Sequence, residues 1–264
     1  MSSRTSVDPV HPSALCVPRP FSVCPHLLER MHCNCECDLN QQNLGSSNCA
    51  FSSAHDTLST LDSSTVYLLY SLYWPVVLKA FNKTKGTFGT IDIVINNAGV
   101  VGEDKWETEI EVNVKGVVRG TRLALDYMGK HKGGKGGAVV NIASIAGLGA
   151  KSACPVYDGS KFFVVGYSQS ISFPPMDIRH GVRILCMCPG ATDTPILTEI
   201  LDTFETLDIG REDIVSQFTT QQPDHVAQGI VHILREGATG SVWVSENCRP
   251  VYQVEFPNLL KQPV

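Results

Sequence analysis

The chain has 264 residues, of which 43% are hydrophobic and 18% are charged, and its formal net charge is −5. This length and composition predict one globular α/β domain with a tail. The acidic balance and the lack of a basic run argue against nucleic acid or an anionic membrane surface as the main partner, so a small-molecule partner is expected.

The N-terminal residues show no recognisable targeting signal. The first 21 residues lack the apolar core of a secretory signal, and the longest apolar stretch, 65–81, is interrupted by Ser71 and Pro75. We therefore expect no membrane span, a cytoplasmic location and reduced thiols. No metal site is predicted, because the N-terminal cysteines match no closed zinc spacing. These cysteines are Cys16, Cys24, Cys33, Cys35, Cys37 and Cys49.

The chain changes character near residue 78. Residues 1–77 are rich in Ser, Pro, Cys and Asn without a regular alternation of elements, and they are predicted to form an atypical, irregular segment. Residues 78–264 alternate apolar strands with amphipathic helices, and they form the predicted catalytic region. Strands are predicted at 91–95, 138–143, 181–188 and 241–245, and helices at 106–128, from about 156, and at 223–236.

The predicted strands are apolar throughout, which is typical of a parallel sheet covered by helices on both faces. Ligands of such sheets bind beyond the carboxyl ends of the strands. The loops that follow the strands are therefore the informative ones. They read NNAG (96–99), SIAG (144–147) and PGATDTP (189–195).

Tyr157 stands four residues before Lys161 in the segment PVYDGSKFF. In a helix both side chains leave the same face, and a cation near a phenol in a dry pocket favours the phenolate. Taken alone, the spacing is also typical of an exposed amphipathic pair. The rest of the chain has to decide between the two interpretations.

Five motifs in this order resemble the short-chain dehydrogenase/reductase family. They are INNAG, Asn113 in the next helix, NIASIAG with Ser144, YDGSK, and CPGATDT after a strand. The similarity is greatest to the NAD-linked 15-hydroxyprostaglandin dehydrogenase group and its insect alcohol dehydrogenase-like relatives, over about 78–256. It implies a Rossmann-like, doubly wound parallel sheet that is incomplete on its N-terminal side. It also implies a homodimer or homotetramer and an NAD-dependent oxidoreductase that interconverts a secondary alcohol and a ketone.

The resemblance assigns catalytic roles to four residues. Tyr157 would exchange a proton with the substrate oxygen, and Lys161 would lower the pKa of Tyr157 and bind the nicotinamide ribose. Ser144 would donate to the same oxygen, and Asn113 would hold a proton-relay water. Further cofactor contacts are implied for Asp38, Asn96, Ala98, Gly99, Pro189, Gly190, Thr192 and Thr194.

Substrate contacts are implied for Ser144, Cys154 and Tyr157. Cys154 stands where prostaglandin dehydrogenases carry a glutamine, so prostaglandin specificity is not expected to carry over. Each site residue also has a structural interpretation: Ser144 could cap a turn, Asn113 could face water, and Gly99 could be a turn glycine. Their joint occurrence in one order favours the functional interpretation.

The N-terminal segment departs from the family pattern. The family's glycine-rich phosphate loop cannot be identified there, because the first glycine is Gly45. The segment CECDLNQQNL (35–44) resembles the adenine-contacting segment, with Asp38 in the acidic position. The alternative function is therefore a non-catalytic relative that cannot bind a dinucleotide, and a cysteine-rich metal or redox module ranks last.

Two structural consequences follow from these departures. Without the family's first strand, the strand at 91–95 would have an open edge, which predicts weak stability or aggregation unless segment 65–78 or another chain covers it. Pro174 and Pro175 should kink or end the helix that carries Tyr157 and Lys161.

Overall fold

The computed structural model describes residues 66–68, 74–150, 152–174, 179–207, 210–212, 216 and 218–256. Within these residues one sheet has the strand order β1-β2-β3-β4-β5-β6. Neighbouring strands are parallel from β1 to β5, and β6 is antiparallel to β5. The strands are β1 Val66–Leu68, β2 Ile93–Asn96, β3 Gly137–Ile142, β4 Val182–Pro189, β5 Val242–Ser245 and β6 Tyr252–Gln253.

Helices connect the strands. They are α1 Trp74–Phe88, α2 Trp106–Ile110, α3 Val117–Met128, α4 Pro155–Ile171, α5 Pro195–Thr206 and α6 Pro223–Glu236. A π-helical segment, Glu111–Gly116, joins α2 to α3. Proline begins α4, α5 and α6, where its fixed φ suits the helix and its missing N–H is not needed. As predicted, α4 ends at Ile171, before Pro174.

Helices cover both faces of the sheet. Successive strand residues point to opposite faces, so Val139 packs with α1 and α3 whereas Val140 packs with α6. Helix α4 packs on the same face as α3, against Cys186 and Cys188 of β4. Burial on both sides explains why the strands are apolar throughout. The predicted α/β fold with a parallel sheet is confirmed.

The strand order of the described residues lacks one feature of the predicted doubly wound sheet, the reversal of strand order. A doubly wound sheet reverses its strand order at one point. Within the described residues the order follows the chain without a reversal. Helices nevertheless cover both faces of the sheet, as the predicted doubly wound fold requires.

Strand β1 was not predicted, and it lies at the edge that was expected to be open. Val66 pairs with Ile93 and Leu68 with Ile95, parallel to β2. Part of segment 65–78 therefore covers the edge of β2. This is one of the two possible covers named above, the other being a second chain. Helix α1 begins at Trp74, so the boundary predicted at residue 78 lies inside a helix. Asp38 and the six N-terminal cysteines lie outside the described residues.

Two kinds of feature are not found in the described part of the chain. None of its helices is long and apolar enough to cross a membrane. None of its His, Cys, Asp and Glu side chains form a group of three or more that could hold a metal ion. Its cysteines are free, with Cys154, Cys186 and Cys188 buried and Cys248 exposed.

Candidate active site

Tyr157 and Lys161 lie one turn apart near the start of α4. Both side chains are buried, with 5% of Tyr157 and 4% of Lys161 exposed. The Nζ atom of Lys161 lies over the Tyr157 ring, 5.4 Å from its centroid. The pair is therefore a buried contact at the sheet, which excludes the interpretation as an exposed amphipathic pair.

The net effect of the surroundings is to raise the pKa of Tyr157, although Lys161 was expected to lower it. Burial raises the pKa of Tyr157 to about 12, and hydrogen bonding to the Ser144 side chain opposes this shift in part. Negative charge on Glu109 and Asp158 raises the pKa further. The Lys161 cation is over the ring face. Loss of water around the phenol therefore outweighs the help that the sequence pattern led us to expect.

Lys161 is itself affected by burial, which lowers its pKa to about 8. Its Nζ donates to the carbonyl of Ile142 at 3.3 Å. A Cβ atom on Gly99 would lie 3.2 Å from this Nζ and 3.6 Å from Oδ1 of Asn113. The glycine of the NNAG loop therefore allows the loop to approach Lys161 closely, a role that the turn-glycine interpretation does not supply.

Ser144 follows β3, and its side chain makes two contacts within the fold. Its Oγ accepts from the backbone N–H of Ala146 at 3.1 Å and caps the 3-10 turn Ile145–Gly147. The same side chain hydrogen-bonds to Tyr157. A Cβ on Gly147 would lie 2.5 Å from the Lys161 carbonyl oxygen, so this turn packs directly on α4.

Asn113 lies in the π-helical segment and is buried, with 1% exposed. Its Oδ1 accepts from the N–H of Val100 at 2.9 Å, and its Nδ2 donates to the Val100 carbonyl at 2.8 Å and to Ser160 Oγ at 3.0 Å. The water-facing interpretation is thus excluded. The amide ties the loop after β2 to α4, and both donors of its side chain are in use.

The side chain of Asn96 forms hydrogen bonds within the fold. Its Nδ2 donates to Asn141 Oδ1 at 2.7 Å and to Thr121 Oγ1 at 3.1 Å, and Asn141 Nδ2 donates to Ser168 Oγ at 2.9 Å. A Cβ on Gly120 would lie 2.0 Å from Asn96 Oδ1. Only the backbone of Asn96 remains for a cofactor, as the resemblance implied. Ala98 and Gly99 lie in the loop that follows, and both residues are partly exposed.

The PGATDTP loop leaves β4 at Pro189 and is held by its own hydroxyl groups. Gly190 N–H donates to the Ser245 carbonyl at 2.8 Å, and Thr192 Oγ1 donates to the Gly190 carbonyl at 2.9 Å. Thr194 Oγ1 donates to the Thr192 carbonyl at 3.2 Å. Buried Gln221, which the sequence analysis missed, supports the loop by donating to Ser245 and Thr192.

Cys154 is fully buried in a small cluster with Ala146 and Tyr157. Ile196 and Ile200 of α5 pack against this cluster. Helix α5 was not predicted, although Pro195 could have indicated its start. While α5 stays packed, the thiol has no exposed surface, so its contact with a substrate remains a prediction.

Three acidic residues around Tyr157 were not predicted from the sequence. Glu103 Oε1 accepts from the N–H of Val156 at 2.9 Å and caps α4 from outside the helix. Asp158 accepts from the Ser152 hydroxyl. Glu109 Oε2 accepts from the N–H of Gly102 at 3.1 Å. The Glu103 contact joins residues 53 positions apart, so no local sequence signal identifies it, whereas the contacts of Asp158 and Glu109 join residues six and seven positions apart.

Comparison with known proteins identifies the family of this chain. The chain matches the family model described as short chain dehydrogenase over residues 72–205. It is 33% identical over 194 residues to the 15-hydroxyprostaglandin dehydrogenase (NAD+) of Mus musculus, covering 70% of this chain and 72% of that protein. It is 35% identical over 175 residues to alcohol dehydrogenase 1 of Ceratitis capitata, covering 61% and 68%.

A solved structure agrees at the level of the fold. The crystal structure of levodione reductase aligns with a TM-score of 0.61 at 21% identity, covering 75% of this chain and 81% of that one. This likeness confirms the Rossmann-like fold. Together with the family match, it shows that the chain belongs to the short-chain dehydrogenase family.

Proposed function

We propose that this chain is an NAD-dependent oxidoreductase that interconverts a secondary alcohol and a ketone. The observation that carries the proposal is the buried Tyr157–Lys161 pair with Ser144 bonded to the phenol. The mouse relative is named as an NAD+ dehydrogenase of a hydroxyl compound, which supports the cofactor and the reaction class. The substrate is a small molecule of unspecified structure.

The residues around Lys161 fit the nicotinamide end of a dinucleotide. Lys161 Nζ uses one acceptor among the described residues, the Ile142 carbonyl, and so retains donors for ribose hydroxyls. Gly99 keeps this region open, since a Cβ there would crowd Nζ. The cofactor would be held by Lys161, Tyr157, the backbone at Asn96, Ala98 and Gly99, and Pro189, Gly190, Thr192, Thr194 and Asp38. When bound, NAD supplies the acceptor or donor of the hydride.

The proton chemistry belongs to the chain's own residues. At neutral pH the raised pKa keeps Tyr157 protonated, so it can donate to a ketone oxygen. In the oxidation direction Tyr157 has to lose its proton, and the Lys161 ammonium stabilises the resulting phenolate. The Ser144 hydroxyl donates to the substrate oxygen and steadies the charge that develops there. Asn113 would hold the relay water through an acceptor atom, because both donors of its side-chain amide are occupied.

The first test is equilibrium binding of NADH to the purified full chain, measured by fluorescence, with Lys161→Ala as the comparison. We expect micromolar binding that Lys161→Ala weakens. Secondary alcohols are then screened with NAD, and Tyr157→Phe should lower kcat by about 100-fold or more because it removes the transferred proton. Tyr167→Phe on the same helix is the matched control and should stay near the unsubstituted rate.

A non-catalytic relative is the alternative function. It is favoured by the position of the first glycine, Gly45, which leaves no recognisable glycine-rich phosphate loop near the start of the chain. A folded chain that binds no NADH and oxidises no alcohol would support this alternative. It would also rule out the oxidoreductase.

We further propose a homodimer or homotetramer formed through the helical segments that carry Asn113 and Tyr157. Phe162 and Phe163 on α4 are 45% and 38% exposed, so this helix presents two adjacent aromatic side chains at the surface. Sedimentation equilibrium measures the assembly directly. A monomer across the micromolar range would contradict it.

A further inference from the structure

Glu109 is a buried carboxyl group next to the proposed active site. It lies on α2, one turn before Asn113, and 1% of the residue is exposed. Glu107 on the same short helix is exposed. The helix therefore directs one acidic side chain to solvent and the other toward α4. A charged carboxylate seldom occupies such a position without a partner.

The hydrogen bonds of Glu109 are incomplete. Oε2 accepts from the N–H of Gly102 at 3.1 Å. Oε1 is buried, and no described residue hydrogen-bonds to it. An unpaired buried carboxylate oxygen is unfavourable, so this group favours its protonated form.

The charges that face Glu109 come from two elements. Glu103 lies in the 3-10 turn Glu103–Lys105, whereas Tyr157, Asp158 and Lys161 lie on α4. Burial together with the Glu103 and Asp158 charges raises the pKa of Glu109 to about 7, and the Gly102 N–H and Lys161 oppose the rise. Glu109 is therefore close to the midpoint of its titration at neutral pH.

We propose that Glu109 is a positioning residue whose protonation is coupled to that of the Tyr157–Lys161 pair. The inference rests on the proposed function, because its purpose is to tune that pair. When Glu109 releases its proton to water, its negative charge raises the pKa of both Tyr157 and Lys161. Lys161 is then held charged, and ionisation of Tyr157 is opposed.

The coupling predicts a shifted pH profile. Glu109→Gln keeps the shape and removes the charge, so Tyr157 should ionise at lower pH. The rising limb of kcat/KM for alcohol oxidation should move to lower pH by roughly one unit, the size expected from one close buried charge. Glu107→Gln makes the same change in net charge on the exposed side of α2, and its profile should not move.

A second readout does not depend on activity. A carboxyl whose pKa is raised above 4.5 in the folded state binds more protons there than in the unfolded chain, so its stability contribution falls as pH rises from 4.5 through about 7. Glu109→Gln removes this fall. The Tm of Glu109→Gln minus the Tm of the unsubstituted chain should increase between pH 5 and pH 8. The same difference for Glu107→Gln should stay constant.

Lys161→Met tests the coupling itself. Without the lysine cation, the pKa of Glu109 should rise, and the pH window in which Glu109→Gln gains stability should move upward. Glu109→Met provides a second uncharged variant if Glu109→Gln does not fold. Here too the full chain is used throughout.

The outcomes are distinguishable. A gain in Tm that grows with pH, moved upward by Lys161→Met, supports the inference even if no alcohol is oxidised and the proposed function fails. A flat difference in Tm from pH 5 to pH 8 overturns it. An active enzyme whose pH profile is unchanged by Glu109→Gln also overturns it, and leaves the proposed function intact.

Discussion

Lys161 is an ammonium group taken out of water with one carbonyl, that of Ile142, as its hydrogen-bond partner among the described residues. Tyr157 is similarly enclosed. Burial disfavours the charged form of each group, so it raises the pKa of the phenol and lowers that of the amine. Tyr157 is therefore a neutral acid at neutral pH, and Lys161 is a cation that loses its proton more readily than an exposed lysine does.

This arrangement predicts that Lys161→Met stabilises the chain near neutral pH. The pKa of Lys161 falls from 10.5 to about 8 on folding, so the unfolded chain binds more protons between these values and stability rises with pH across that window. Methionine removes a cost of about 3 kcal/mol at pH 7. Chemical denaturation measured from pH 7 to pH 10.5 should show the gain shrinking as pH rises.

The surface residue Lys79 on α1 gives the control for this prediction. It is exposed, and Lys79→Met should change the free energy of unfolding by no more than about 0.5 kcal/mol at any pH in the range. A Lys161→Met variant that is less stable than the unsubstituted chain at pH 7 would show that its ammonium is compensated by contacts within the fold.

At the scale of elements, a buried polar network joins two strands to two helices. Asn96 of β2 and Asn141 of β3 exchange hydrogen bonds with Thr121 of α3 and Ser168 of α4. Asn141 and Thr121 are fully buried. Because each donor has a partner, the network fixes α3 and α4 on the sheet at the level where the active-site loops begin.

We predict that Asn141→Leu destabilises the chain by about 3 kcal/mol, since leucine fills the space but leaves Asn96 and Ser168 with unpaired groups. Urea denaturation followed by circular dichroism measures the loss. Asn82→Leu on the exposed side of α1 is the comparison and should cost under about 1 kcal/mol. An equal cost at both positions would mean that the network adds nothing to stability.

At the scale of the whole molecule, β1 decides whether the sheet has an open edge at β2. Its three residues pair with Ile93, Val94 and Ile95. An uncovered parallel strand at this place would expose backbone groups that bind other chains. The stability of the whole molecule is therefore expected to depend on a very short strand.

A proline scan of Val66, Tyr67 and Leu68 tests this dependence. At least one variant should lose about 1–3 kcal/mol of stability and scatter more light on heating, because proline removes a ladder N–H and disturbs the strand. Tyr67→Val keeps the N–H and suits a strand, so it should behave like the unsubstituted chain. Three proline variants without effect would show that β1 does not protect the sheet.

The sequence by itself determined the alternation of elements from β2 to β5 and the spacing of Tyr157 and Lys161. These features depend on local patterns: apolar runs for strands, helical periodicity, and prolines such as Pro155 and Pro174 at helix boundaries. The motif order also placed Ser144 and Asn113 at one end of the sheet, because parallel strands bring their carboxyl ends together.

Only the tertiary structure decided what these residues can do. Packing between distant segments buries Tyr157 and so raises its pKa. It also buries the Glu109 side chain and places α5 over Cys154. The same packing engages the Asn96 side chain in a hydrogen bond with Asn141 and places β1 beside β2. Dehydration and unpaired polar atoms arise between segments distant in the chain, so no local pattern of residues encodes them.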